Sequence, residues 1–338
     1  MTGSSPDTTR LPDRRRPAGG LLSIVIPCHN EAAVIDDTHA RLTAAVATTG
    51  MDHEIVYVDD GSRDDTLGRL EGIAARDPRV TVIEFARNFG QQAAMSAGLA
   101  AAQGDAIVIT DADLQDPPEV IPEMVRAWRN GADVAYGRRR RRAGETAFKL
   151  VTASLYHRLF ASLTPYPVPV DTGDFKLLDR AVADAVIALP EKRRYLRGLV
   201  PWAGFRHEPV WYDRHPRAAG ETKYSPWKLL KLATDALILS SDAPLRLTWV
   251  AAAALACTGI GATAVATLAT WMGPPREHVS FAALTALATF VATVPTVAAA
   301  IIGEYVARTY REVQGRPTWV IRRTLGRTAE PRSTSRAA

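Results

Sequence analysis

Apolar residues fall into short runs over the first part of this chain and into two long runs near its end. Residues 22–27, 54–58, 80–85 and 106–110 are brief stretches rich in Val and Ile, the pattern of strands covered on both faces. Between them, residues 36–49, 67–76 and 91–103 carry apolar positions at helical spacing, the last of these rich in Ala. Strands and helices alternating in this way predict an α/β domain with a mostly parallel sheet and helices on both faces. Ligands of such sheets sit beyond the carboxyl ends of the strands. Here those ends carry Asn30 and Glu31, Asp59 and Asp60, and Asp111 and Asp113, so acidic side chains are expected along one edge. The sheet region is expected to finish within residues 201–212.

The pattern then changes. In residues 225–241, Trp227, Leu229, Leu230, Leu232, Ala233, Ala236 and Leu237 repeat at helical spacing, with Lys228, Lys231 and Asp235 among them. This predicts an amphipathic helix lying in a membrane interface, or else packed on the soluble core. Residues 247–272 and 279–303 contain no charge, and each run is long enough to cross a ~30 Å hydrocarbon layer. The link 273–278 is short, so the two runs are expected to form a transmembrane hairpin, with a pair of buried core helices as the alternative. Lys228, Lys231, Arg246, Arg308, Arg311 and Arg316 flank the hairpin, against the single Arg276 in its link. That asymmetry places the large domain and both termini in the cytosol, on a multi-pass protein of the cytoplasmic (inner) membrane. The expected divisions are a disordered basic tail (1–20), an α/β domain (21–224), an interfacial helix (225–245), the hairpin (246–304) and a cytosolic basic tail (305–338). The hairpins are also the candidate surface for a homo-oligomer.

The net charge of +5 is mild but unevenly placed, with basic clusters in 14–16, 138–142 and 308–327. Beside an uncharged stretch, such clusters suit anionic membrane lipids rather than nucleic acid. Cys28 and Cys257, one at a strand end and one in an apolar run, predict neither a disulfide nor zinc. No export signal precedes the first strand, and Gly259-x-Gly261-x-x-Ala264 sits inside an apolar run rather than after a strand, so it is not a dinucleotide fingerprint.

Asp111-Ala112-Asp113 is the strongest chemical signal. Two carboxylates at i and i+2, at the end of a strand, supply hard oxygen ligands for a divalent cation that can bridge a diphosphate. Three further stretches accompany it: Ser23-Ile24-Val25-Ile26-Pro27-x-x-Asn30-Glu31, Val58-Asp59-Asp60-Gly61-Ser62-x-Asp64-x-Thr66, and Leu114-Gln115-Asp116-Pro117-Pro118-Glu119. Arg87-Asn88-Phe89-Gly90-Gln91 comes before the D-x-D, and Arg139-x-x-Arg142-x-x-Glu145-Thr146-x-x-Lys149 after it. Asp171-Thr172-Gly173-Asp174-Phe175, Arg217-x-x-Gly220-x-Thr222-Lys223-Tyr224 and Gly303-Glu304-Tyr305-x-x-Arg308-x-Tyr310 follow in order. Over residues 23–320 the sequence resembles the family 2 glycosyltransferases of GT-A (Rossmann-like) fold, in particular their polyprenyl-phosphate branch.

That resemblance implies an enzyme moving a hexose from a nucleotide-sugar, UDP-glucose or GDP-mannose, to polyprenyl phosphate with inversion, using Mg²⁺ or Mn²⁺. It implies that Pro27, His29, Glu31 and either Asp59 or Asp60 hold the base and ribose, although the family more often has Tyr where this chain has His29. Asp111, Asp113 and Gln115 would hold the metal and diphosphate, Ala112 would lie against the nucleotide-sugar, and Arg139, Arg142, Lys223 and Arg217 would face the donor and lipid phosphates. Arg139 and Arg142 would share one face if their stretch is helical. Asp174 stands where relatives place a general base, yet an acceptor phosphate is already ionised near neutral pH, so positioning of the acceptor or of a basic residue is the alternative. Asp64 and Thr66 are read as capping the next helix. A processive polysaccharide synthase would carry Q-x-x-R-W, which is absent, and a Rossmann oxidoreductase would carry glycines after the first strand. A non-catalytic membrane adaptor would have no reason to keep Asp111, Asp113 and Gln115.

Overall fold

A computed structural model describes residues 16, 19–140, 172–192, 194–213 and 277–326, with scattered helical positions between 245 and 261. The chain divides into two compact units. The first comprises residues 1–161, 166–223 and 317–338, and the second residues 162–165 and 224–316.

The first unit is built on one eight-stranded sheet. Its elements in chain order are β1 (Leu21–Cys28), α1 (Ile35–Ala47), β2 (Asp52–Asp59), α2 (Thr66–Arg76), β3 (Val80–Phe85), α3 (Gln91–Ala101) and β4 (Ala106–Ile109). A short 3₁₀ turn then leads into α4 (Ile121–Arg129) and β5 (Val134–Arg139). After them come β6 (Thr172–Asp179), α5 (Arg180–Ala188), α6 (Leu196–Trp202) and β7 (His207–Tyr212), and finally β8 (Ile321–Gly326). The strand order is β7-β5-β6-β4-β1-β2-β3-β8. Only β6 and β8 run against their neighbours, so the sheet is mixed and mostly parallel.

The central strands show why the sheet is sandwiched. Ile24 and Ile26 of β1 and Ile55 and Tyr57 of β2 pack against α1, α2 and α4 through Leu42, Leu70 and Trp128. Val25, Val56 and Val58 point the other way, against Met95 and Leu99 of α3, Val182 of α5 and Val200 of α6. Period-two alternation thus feeds two cores, which is why the strands read as unbroken apolar runs. Gly98 lets α3 settle onto the sheet, because a Cβ there would lie 2.2 Å from Val25 Cγ1. The amino-terminal end of α3 is thereby fixed at the edge where β1, β2 and β4 end.

Two features differ from the sequence reading. Arg16, inside the expected tail, is packed: its guanidinium lies 5.2 Å over the Trp128 ring, and it pairs with Asp133 at 2.6 Å and Asp179 at 3.2 Å. Residues 321–326, in the expected basic tail, form the edge strand β8 antiparallel to β3. The pattern missed β8 because Arg322 and Arg323 interrupt it, and their charges find partners in Glu84 and Glu71 of the first unit.

In the second unit, residues 279–303 lie within a longer helix, α7 (Glu277–Val313). Its segment Val291–Val313 is the one helix among the described residues long and apolar enough to cross a membrane, with Val297 and Val306 more than half exposed. Residues 250–255 are helical, but most of the first expected span lies outside the described residues, as does nearly all of the expected interfacial helix, so a two-helix hairpin is not established.

Candidate active site

The D-x-D follows β4 in a turn where Leu114 adopts the left-handed conformation, with φ of 57°. For a branched, non-glycine residue that is a sparsely populated state, of the kind found at functional turns. Asp113 Oδ1 accepts from the Gln115 amide at 3.1 Å, closing the turn. Asp111 Oδ1 accepts from Gln91 Nε2 at 2.7 Å, so the start of α3 and the end of β4 are tied together at the site. Ala112 is buried, and its carbonyl accepts from Thr38 Oγ1 at 2.7 Å, which locks the turn onto α1.

Around this turn stand Asp116 and Asp174, both almost fully buried. Asp116 accepts from the Tyr212 hydroxyl, and Arg139 Nη2 lies 3.7 Å from Asp116 Oδ1. Asp174 accepts a fork of two hydrogen bonds from Arg197, Nε to Oδ1 at 2.9 Å and Nη2 to Oδ2 at 2.7 Å. Burial pushes the Asp174 carboxyl up, but the bonds and charge of Arg197 outweigh it and hold the pKa below the usual range. Among the described residues no such cation is bonded to Asp111. Burial first, then the charges of Asp174, Asp116 and Asp113, push it up to about 7. Lys176, buried beside Asp174, is lowered to about 8 by desolvation.

At the ends of β1 and β2 the carboxylates are used differently. Asp60 accepts from the Phe89 amide at 2.6 Å and the Gly90 amide at 2.9 Å, so both its oxygens are committed to the loop before α3. Gly61 makes that close approach feasible: its φ is +66°, and a Cβ would lie 2.6 Å from the Asn88 amide nitrogen. Asp59 Oδ2 accepts from the Ser62 amide at 3.2 Å, while its buried Oδ1 has no hydrogen-bond partner among the described residues. His29 Nδ1 lies 2.9 Å from the Asp60 carbonyl and 3.2 Å from Asn88 Nδ2. Glu31 donates its amide to Thr66 Oγ1 at 2.8 Å, and Pro27 is buried in β1 beside Val58. The expected cap of α2 is not formed by Asp64 or Thr66, since the N-cap is Asp65 without a side-chain bond; Asp64 instead accepts from the Thr66 amide and takes the Ala32 amide at 3.2 Å, joining the loops after β1 and β2.

The family profile for Glycosyl transferase family 2 matches residues 23–187. The uncharacterized glycosyltransferase YkcC of Bacillus subtilis is 40% identical over 304 residues, 90% of this chain and 94% of YkcC. The chain belongs to glycosyl transferase family 2. Other relatives include the prophage bactoprenol glucosyl transferase homolog of Escherichia coli, 33% identical over 89% of this chain and 98% of that protein. The SfII prophage-derived bactoprenol glucosyl transferase of Shigella flexneri is 32% identical over 90% of this chain and 98% of its own. The protein is therefore a glycosyltransferase, and its mixed α/β sheet is the GT-A-like fold.

Among the described residues of this family 2 glycosyltransferase, no three His, Cys, Asp or Glu side chains are grouped to hold a cation by themselves. The donor set still fits Mg²⁺ or Mn²⁺. Such ions take one or two carboxylates and complete their shell with water and substrate phosphate oxygens. Asp111 is raised first by burial and then by the charges of Asp174, Asp116 and Asp113, and a cation beside it would offset both.

Arg139 corrects one sequence argument. It closes strand β5, not a helix, so no helical face shared with Arg142 brings it to the site. It arrives instead through Asp116 and Tyr212, whose hydroxyl its Nε meets at 3.3 Å. Arg142, Arg217 and Lys223 lie outside the described residues. Sequence reading gave no role to Gln91, Asp116, Lys176, Arg197 or Tyr212. Gln91 and Asp116 stood inside recognised stretches, and Arg197 sits one residue after the buried Leu196 and three before the buried Val200, where a cation needs a partner.

Proposed function

We propose that this glycosyltransferase moves a hexose, glucose before mannose, from UDP-glucose or GDP-mannose onto a polyprenyl phosphate at the cytoplasmic membrane surface, for use in the cell envelope. The names of the relatives from Escherichia coli and Shigella flexneri support glucose and bactoprenol. The exposed apolar helix Val291–Val313 supports an acceptor that stays in the bilayer. The observation that carries the reading is the carboxylate cluster at the D-x-D, with Asp111 raised to about 7 among Asp113, Asp116 and Asp174.

In this reading Asp111 and Asp113, aided by Gln115, hold Mg²⁺ or Mn²⁺, which would neutralise the diphosphate as it leaves. The unpartnered Oδ1 suits Asp59, rather than Asp60, to accept from an N–H of the nucleotide base. His29, Glu31 and Pro27 line the same end, with Ala112 acting through the backbone. A phosphate oxygen of the lipid attacks the anomeric carbon, and the bond to the nucleoside diphosphate breaks with its electron pair. The configuration inverts. No proton need be removed, and Asp174 spends both oxygens on Arg197, which favours positioning over general-base chemistry. Arg139 would face the diphosphate from β5, and Arg142, Arg217 and Lys223 would complete the cationic side.

Membranes containing the protein, given radiolabelled UDP-glucose or GDP-mannose and undecaprenyl phosphate, should form labelled lipid that is lost with excess chelator. Organic extracts free of label with either donor would sink the proposal.

A further inference from the structure

We propose that the carboxy-terminal segment around Trp319 is a positioning strap for the donor-site loop 86–90, so that nucleotide-sugar binding depends on chain lying beyond α7. The proposal rests on the reading that Asp59 and His29, which stand beside the Asp60-anchored loop, border the nucleotide.

The strap is built into the catalytic unit by several independent contacts. β8 pairs with β3 from Thr81↔Gly326 to Phe85↔Ile321, with the register shifting between Glu84 and Phe85. Just past that shift the Ala86 amide donates to the Val320 carbonyl at 2.9 Å, so the pairing reaches the first residue of the loop. Glu84 is buried, and its two carboxylate oxygens are met by Arg322 and Arg323. A buried carboxylate left without those cations would be costly, which fixes the register of β8. Thr318 Oγ1 donates to the Lys192 carbonyl at 3.3 Å and ties the incoming chain ahead of α6.

From there a row of rings leads to the site. Trp319 stacks on Phe85, with centroids 6.4 Å apart and planes 12° apart. Phe85 meets the edge of Phe89 at 5.6 Å, and the Arg87 guanidinium covers the Phe89 ring at 4.0 Å. Phe89 and Gly90 in turn give their amides to Asp60, and Asn88 Nδ2 reaches both the Asp60 carbonyl and His29. Arg87 and Asn88 themselves are exposed. The loop therefore draws its apolar support from Phe85 and, behind it, from Trp319, which packs against the core shared with α3. Trp319 touches no expected ligand. Its effect must pass through Phe85 and Phe89 to the Asp60 carboxylate that anchors the loop, and through Asn88 to the His29 imidazole that borders the nucleotide.

The test uses the full chain in detergent. Trp319→Ala should raise KM for the donor by about tenfold, the scale of losing a stacked aromatic pair, with kcat changed less than about twofold. Trp319→Phe should recover KM to within about threefold of the parent. Hydrogen exchange supplies a readout that needs no substrate: in Trp319→Ala the amides of Phe89 and Gly90 should exchange faster while those of Ile24 and Ile26 do not change. Unchanged exchange at Phe89 and Gly90, or equal acceleration in β1, would overturn the strap. A fall in kcat at constant KM would overturn it too. If the parent protein used neither UDP-glucose nor GDP-mannose, the functional reading would fail, while the exchange result would still decide the strap.

Discussion

Replacing Arg197 by Met separates the two roles open to Asp174. The Asp174 side chain is 1% exposed and its partner 39% exposed, so the substitution leaves a buried carboxylate near Asp111, with Lys176 and Arg139 left to offset it. Breaking a buried pair costs ~3–5 kcal/mol, and the partial solvation of Arg197 discounts this to about 2–3 kcal/mol. For a domain of this size that lowers Tm by roughly 5–10 °C. The sign with pH is fixed. In the parent, Asp174 is held below the ordinary carboxylate value, so its stabilisation is present above about pH 4 and is lost as pH falls through the lower folded value. In Arg197→Met, burial and like charge raise the same group, so destabilisation grows as pH rises above about 4. The gap in Tm should therefore be small near pH 4 and widen towards pH 7. Adding Asp174→Asn should restore part of the loss, as a coupled pair requires. Thermal unfolding of parent, both single variants and the double variant at several pH values measures all of this. A gap that does not vary with pH, or a double variant no more stable than Arg197→Met, would refute the pairing argument. Were Asp174 also a base, Asp174→Asn would in addition remove the acid limb of the pH–rate profile.

Asp113→Asn should abolish transfer while leaving the circular dichroism spectrum intact; near-normal turnover with Mg²⁺ or Mn²⁺ would remove Asp113 from the metal site. Asp59→Asn should raise donor KM by about tenfold with little change in kcat, because one charge-assisted hydrogen bond to the base is lost, whereas the same KM as the parent would return that contact to Asp60. Lys223→Ala, assayed in detergent, should lose on the order of a hundredfold in rate if Lys223 serves the reacting phosphates. A loss under about threefold would leave Lys223 with membrane lipids alone.

The central fold was legible because burial on both faces writes strands as plain apolar runs. β1 to β4 and α1 to α3 lie within two residues of the patterned stretches, β3 without any shift. The far side of the sheet was not legible in this way. β6 carries Asp174 and Lys176 on a buried face, where pattern expects apolar residues, and the two charges are tolerated through Arg197 and each other. β8 hides under two arginines whose partners lie about 240 residues earlier, at separations no local signal spans. The acidic edge was foreseen from the strand ends, since a parallel sheet brings them together whatever the loops do. Which carboxylate has both oxygens bonded and which keeps a buried oxygen unbonded among the described residues was not: Asp59 and Asp60 are neighbours in sequence, and only the path of the loop through Phe89 and Gly90 separates them.

The late position of β8 has a consequence for biosynthesis. About 110 residues, including the apolar helix, separate Tyr212 of β7 from Ile321 of β8. At ordinary elongation rates the nascent chain would wait on the order of 10 s with β3 as a bare edge. Throughout that interval the unpaired amides and carbonyls of β3, and the buried Glu84 without its arginines, would be open to another strand. On a polysome the nearest such strand is the β8 of a neighbouring copy. Exchange of β8 between newly made chains is thus the characteristic error this topology invites, and overexpression at high ribosome density is where strand-swapped dimers should accumulate.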